Sequence, residues 1–318
     1  MSTKHVFDDA TGLVEKACLG VASTNPDLRF FAHHKVLYNA AHPRDKVAIL
    51  AGGGAGHEPA FSGLVGSGLV TVAVSGDVFA SPSSKQICSG VDLAPTDKGI
   101  VTIVLNYTGD CLNFGLASEK ARSAFHSEGK GRDIEMVNVG DDVSVGRSKG
   151  GLVGRRGLTG AAFTAKVLGA ASEKGDDVQK IAHLGRTMVK NFVTVGSSLD
   201  HCHVPGRSTD PKERGALSQS AVEIGMGIHN EPGAKHIENK PSGEDLIKEM
   251  LELLLREDDP ERSFVKFNKD DDPVLIINNL GGMSSIELGA IAAEARTQIE
   301  RDWNLRLSRV YCGTYVTS

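Results

Sequence analysis

Short runs rich in valine and isoleucine punctuate the first half of the chain, at residues 46–50, 70–74, 100–105 and 134–139, each set between glycine-rich or polar turns. Runs apolar on both faces predict strands of a sheet covered by helices on either side. Helices are predicted over 158–172 and 178–192, separated by a polar break at 174–177, with shorter helical stretches at 60–65 and 112–117. The strand pattern resumes at 193–195, 274–278 and 305–311. Ser242 heads an acidic first turn, and Leu246, Ile247, Met250, Leu253 and Leu254 follow at helical spacing, a stripe that reads as core packing rather than a partner-binding face. Residues 205–215 and 255–272 are dense in charge, proline and serine and read as loops. The predicted fold class is α/β, with two α/β subdomains over 1–184 and 185–318, each holding a largely buried sheet flanked by helices.

A length of 318 residues, beyond the usual single core, agrees with two packed units. Aromatic residues make up only 5% and the formal net charge is −5, so neither a base-stacking surface nor a basic patch is available for nucleic acid or an anionic membrane. Cys18, Cys88, Cys111, Cys202 and Cys312 are odd in number and include no C-x-x-C pair, which argues against a disulfide frame or a zinc knuckle. A reducing compartment follows. With no signal-like start and no apolar stretch near 18 residues, a cytoplasmic protein is expected.

Four segments could carry chemistry. The run GGGAGHEP at 52–59 follows a predicted strand and precedes a predicted helix, so its backbone N–H groups are placed to cradle a polar ligand or to make a tight turn. His57 stands where a dinucleotide fingerprint needs its third glycine. The segment from Gly140 to Ser148 mimics a Walker A loop, but it has five residues between Gly140 and Gly146, an arginine for the lysine, and Asp141 and Asp142 to repel phosphate. No ATP site is recognised. Asp110, at the exit of the strand over 100–105, is either a base or acceptor at a strand end or a cap for the helix that follows. His229 lies among Gly225, Gly227 and Gly233, small neighbours that leave an imidazole accessible as nucleophile or base. His201-Cys202-His203 lacks a second ligand pair and is set aside as loop or core, and no metal site is expected.

Together with FASP at 79–82, NYTGDCLNFG at 106–115, GRRGLTG at 154–160, GIHNEPG at 227–233 and NNLGGMSSIELG at 278–289, the GGGAGHEP run makes six ordered motifs. In that order they resemble the dihydroxyacetone kinase family, specifically its K-type, substrate-binding domain. The resemblance implies that His229 forms a hemiaminal with the ketone carbon of dihydroxyacetone, with glyceraldehyde or a similar short ketose as further partners. It implies that Asp110 accepts a hydroxyl proton during attack on the γ-phosphate, that His57 contacts the triose as acid or base, and that Gly54, Ala55 and Gly56 supply backbone contacts. Two positions depart from the family pattern: Ala55 replaces a serine and Leu105 replaces a substrate-contacting lysine. ATP and magnesium are expected on a separate or missing helical domain or subunit, and a homodimer is expected. The competing expectation is a non-catalytic, ketose-binding regulatory homologue. As a free nucleophile, His229 would lose its lone pair as pH falls through about 6.5.

Overall fold

In a computed structural model, which describes residues 3–129, 131–150 and 154–318, helix α1 (Leu13–Thr24) leads into the edge strands β1 (Leu28–Phe31) and β2 (Val36–Asn39). Next come β3 (Ala48–Ala55), β4 (Val72–Val78), α2 (Ser84–Leu93), β5 (Ile100–Leu105), α3 (Thr108–Glu128) and β6 (Ile134–Val139). The six strands form one sheet in the order β1-β2-β4-β3-β5-β6. β4, β3, β5 and β6 run parallel, while β2 joins antiparallel. Their near-continuous apolar runs are explained by cover on both faces. Ala48 and Leu50 of β3 pack with Ile87 and Val91 of α2 and Phe114 and Ala117 of α3. Ile49 and Ala51 point the other way, toward Ala161, Ala165 and Leu168 of α4 (Gly160–Glu173) and Ile181 of α5 (Val178–Lys190). The period of two along one strand therefore feeds two separate cores.

Phe114 is fully buried and its ring also lies against Gly52 of β3. Truncation to alanine leaves a cavity that β3 and α3 cannot close, and Phe114→Ala is expected to cost about 3–5 kcal/mol in denaturant unfolding.

Beyond α5 the strands are smaller. β7 (Ser197–Ser198), β8 (Val222–Ile224) and β9 (Lys235–Ile237) form an antiparallel sheet. Helix α6 (Gly243–Leu255) starts at Ser242, whose side chain accepts from Asp245 N. β10 (Val274–Asn278) pairs in parallel with β11 (Arg309–Gly313) across the connecting α7 (Ser285–Asp302). The apolar stripe of α6 is core, as expected: Ile247 packs with Ala295 and Ile299 of α7, and Leu246 and Met250 pack toward Val143 and Ile224.

The α/β class holds, and several of the later elements differ from those expected. The later strands divide between two small sheets, and β10 and β11 are half-exposed rather than largely buried. A two-stranded sheet with one helix across it has too few layers to cover both faces. Leu184 lies inside α5, whose apolar side packs on the six-stranded sheet, so residue 184 is in the middle of an element. The helix expected at 60–65 is a single 3₁₀ turn at Ser62–Leu64, and 193–195 contributes only the isolated bridge of Thr194 to Asp142.

Candidate functional site

Three parallel strands end at the same edge of the sheet, the position where open α/β sheets gather ligands. β3 delivers His57, β4 delivers the turn from Phe79 to Ser81, and β5 delivers Tyr107 and Asp110. The glycines at 52–54 lie within β3 itself, and no α-helix follows, so the run is not a helix-capped phosphate cradle. Its glycines serve close packing instead: a Cβ on Gly54 would sit 2.8 Å from Ala80 N, and Gly56, at φ +100°, lies against the Phe79 ring. The Ala55 side chain packs away from His57, with Val14, Cys18 and Phe30.

His229 arrives from the loop after β8, and a buried polar network holds that loop in place. Asp142 accepts from Arg156 Nε at 2.9 Å and from Ser144 Oγ at 2.6 Å, while Arg156 Nη2 also donates to Gly225 O at 2.8 Å. Asp141 accepts from the backbone N–H groups of Leu158 and Gly160 and from Thr194 Oγ1. The two aspartates of the Walker-like segment are thus anchors that tie the GRRGLTG motif and the His229 loop to the end of β6. His201-Cys202-His203 is a support too: Cys202 N and Sγ donate to Asn230 Oδ1, and Asn230 Nδ2 donates back to Cys202 O.

The site is built around two imidazoles. His57 Nε2 and His229 Nε2 lie 3.0 Å apart, with the rings edge to face. His229 Nδ1 is 2.9 Å from Glu231 Oε1, and His229 N donates to Glu231 Oε2, also at 2.9 Å. His57 Nδ1 is 2.9 Å from the carbonyl oxygen of Thr317. A carbonyl oxygen only accepts, so His57 carries its proton on Nδ1 and presents a bare Nε2. A carboxylate likewise only accepts, so His229 Nδ1 is protonated as well. Two lone pairs cannot face each other at 3.0 Å, so one proton lies between the Nε2 atoms.

Burial, followed by the neighbouring His229, lowers the pKa of His57 to about 4. Burial also acts to raise the Glu231 carboxyl, but the N–H donors of His229 outweigh it and hold it at about 2. The His229 ring is flanked by Tyr107 and Phe79 edge to face, with Glu231 behind its Nδ1. A side chain at 227 would collide with Glu231 Oε2, which accounts for the glycine there.

Asp110 is the third member. It stands in the first turn of α3 without capping it, because the N-cap residue is Tyr107 and makes no side-chain cap bond. The carboxyl is 4% exposed, and burial raises its pKa to about 6, against a hydrogen bond from Ser81 and the charge of His229. Its Oδ1 has no hydrogen-bond partner, and neither does the buried Tyr107 hydroxyl. Orphaned buried acceptors of this kind mark places where a ligand's hydroxyl groups fit. Leu105 does not join the group. It is buried in the core behind the site, packed so closely on Gly157 that a Cβ there would lie 2.8 Å from Leu105 Cδ2.

A family model described as the Dak1 domain matches residues 19–318. The chain belongs to the Dak1 domain family. It is 43% identical over 328 residues to a dihydroxyacetone kinase of Pichia angusta and 35% identical over 322 residues to the triokinase/FMN cyclase of Homo sapiens. Each alignment covers all of this chain and 53% of the relative, so the chain spans about half the length of these curated relatives. Among solved structures, the dihydroxyacetone kinase of C. freundii in complex with AMP-PNP and Mg2+ superposes with a TM-score of 0.83 at 30% identity, covering 99% of this chain and 55% of that one. A dihydroxyacetone kinase operon co-activator superposes at 0.81 with 27% identity, covering 96% of this chain and 88% of that one.

Within this Dak1 domain, sequence reasoning found His57, Asp110 and His229 but missed Glu231, Ser81, Tyr107 and Thr317. Glu231, Ser81 and Tyr107 lay inside quoted motifs, and the i, i+2 spacing from His229 to Glu231 was the available signal. Thr317 had none, because its carbonyl is 260 residues from the histidine it meets.

Proposed function

We propose that this Dak1 domain captures a short ketose, dihydroxyacetone first and glyceraldehyde or a similar carbonyl compound beside it, as a covalent hemiaminal on His229. The observation that carries the reading is the pair of facing Nε2 atoms, one backed by Glu231 and the other by a carbonyl, in front of an unpartnered Asp110 oxygen. The proton between the rings passes from His229 Nε2 to His57 Nε2. The freed lone pair then adds to the carbonyl carbon, the C=O π bond breaks, and the oxygen takes the proton from His57. His229 keeps its Nδ1–H on Glu231 throughout, so the pair ends as it began, with one ring cation and one carboxylate. Asp110 accepts the proton of a primary hydroxyl as that oxygen bonds to the γ-phosphorus of ATP and the bond to the β–γ bridging oxygen breaks, releasing ADP.

Gly54, Ala55 and Gly56 line the triose with backbone in this proposal, and Leu105 leaves it without the family's lysine. Loss of one charge-assisted hydrogen bond is worth about 1.5–3 kcal/mol, which covalent capture offsets. ATP with magnesium would come from a nucleotide-binding domain or subunit, and among the described residues no group of histidine, cysteine and carboxylate side chains could hold a metal ion. A homodimer in the cytoplasm belongs to the same proposal. All five cysteines are free, as a reducing compartment allows, and no helix among the described residues is long and apolar enough to cross a membrane.

Native mass spectrometry tests the capture. Incubation with dihydroxyacetone is expected to add the mass of one intact triose, reversibly, while glycerol, with no carbonyl, adds nothing. An unmodified chain in dihydroxyacetone would overturn the reading.

A further inference from the structure

Residues 315–318 run between the two loops that carry the histidines and bond to both. Thr317 N donates to His57 O at 3.1 Å, Thr317 O faces His57 Nδ1 at 2.9 Å, and Thr317 Oγ1 donates to Glu58 O at 2.8 Å. One residue later, Ser318 Oγ donates to Ile228 O at 2.9 Å, on the residue before His229, and Ser318 N donates to Leu280 O. The segment is itself fastened. Asn278, the last residue of β10, accepts from the N–H groups of Tyr315 and Val316 through Oδ1 and donates to Val316 O through Nδ2, while the Val316 side chain is fully buried. This network joins the small β10/β11 sheet to the two loops that carry the histidines.

We propose that residues 315–318 are a positioning strap that selects the Nδ1–H tautomer of His57 and holds its Nε2 at bonding distance from His229. An imidazole flanked on one side by a ring nitrogen and on the other by a fixed carbonyl has only one tautomer that satisfies both. Released from the carbonyl, His57 can place its proton on either nitrogen. In the Nε2–H form, His57 can no longer take the proton that His229 must lose. The tautomer claim stands on geometry alone, whereas its consequence for ketose capture rests on the function proposed above.

Long-range proton–nitrogen NMR of the ligand-free chain at neutral pH reads the His57 tautomer directly. The wild type is expected to show protonated Nδ1 and bare Nε2. Thr317→Val keeps the shape but removes the hydroxyl that clips the strap to Glu58 O. It is expected to mix the two tautomers and to weaken dihydroxyacetone capture about tenfold, the scale of one neutral hydrogen bond. Thr317→Ser should restore both. Asn278→Asp, which keeps the acceptor for Tyr315 and Val316 but loses the donor to Val316 O, provides a second release should the valine variant fail to fold. An Nε2–H tautomer in the wild type, or wild-type tautomer and capture in a folded strap variant, would overturn the proposal. The expected tautomer with no adduct on the wild type would sink the capture reading and leave the strap's tautomer role standing.

Discussion

His229→Ala is expected to abolish the triose adduct altogether, with dihydroxyacetone binding falling below detection in the same native mass spectrum that shows the wild-type adduct. The expected loss is large because hydrogen bonds alone hold so small a ligand weakly, and the covalent bond supplies most of the capture. Alanine removes the ring that Tyr107 and Phe79 flank, yet it leaves the Arg156, Asp142 and Ser144 anchors of the loop intact. The variant should therefore fold. Dependence on pH gives a second reading of the same site. A free histidine nucleophile would fail as pH falls through about 6.5, but in the proposed relay the proton between the two Nε2 atoms is handed through His57 to the new hydroxyl and is not lost to solvent. Capture should consequently persist between pH 7 and 5 and decline only as His57, displaced to about 4, takes a proton of its own. Loss of the adduct near pH 6.5 would show that His57 is not the relay. Persistence of the adduct in His229→Ala would remove the nucleophile assignment.

Asp110→Asn is expected to separate transfer from binding and from stability. Asparagine keeps the shape and one acceptor, so dihydroxyacetone should still be captured, while phosphoryl transfer with a competent nucleotide-domain partner should fall by about a hundred- to ten-thousandfold, the usual worth of a positioned base. The pH profile of the wild type follows from the same group. Only the carboxylate can take a proton, so transfer should rise as pH increases through about 6, the value to which burial lifts this carboxyl. For stability the sign is reversed. A carboxyl whose folded pKa lies above its ordinary 3.8 favours the folded state most when protonated, and that advantage is lost as pH rises through about 6. At neutral pH the buried charge opposes folding by roughly 3 kcal/mol. Asp110→Asn should accordingly melt at a higher temperature than the wild type at pH 7, with the difference vanishing below pH 4. A variant less stable than wild type, with transfer intact, would reassign Asp110 to structure. A wild type that captures the ketose but never transfers, even with the partner supplied, would favour a non-catalytic, ketose-binding regulatory role.

What the sequence determined by itself was local. Strands β5 and β6 and helices α4, α5 and α6 were legible because their patterns repeat within a few residues, and a period of two or 3.6 reports burial directly. His57, Asp110 and His229 were legible for a related reason, since each sits in a short motif with its glycines and stands at or near a strand exit. The expected helix at 60–65 misled because its small and apolar residues suit a tight turn as well as a helix. The split of the later strands into two small sheets was also out of reach, since strand pairing is set by what lies alongside in space. Tertiary structure alone decided the chemistry of the site. His57 and His229 are 172 residues apart in the chain, and Thr317 is a further 88 beyond His229, yet their atoms meet within 3.0 Å. Which ring nitrogen holds a proton depends on the carbonyl or carboxylate facing the other one, and whether Asp110 is charged depends on how much water reaches it. Likewise Leu105, suspected from its place in a motif, was turned into the core by the strand pleat. Residue type sets which protons can move. The fold sets where they are, because only it brings donors, acceptors and low-dielectric walls to fixed distances.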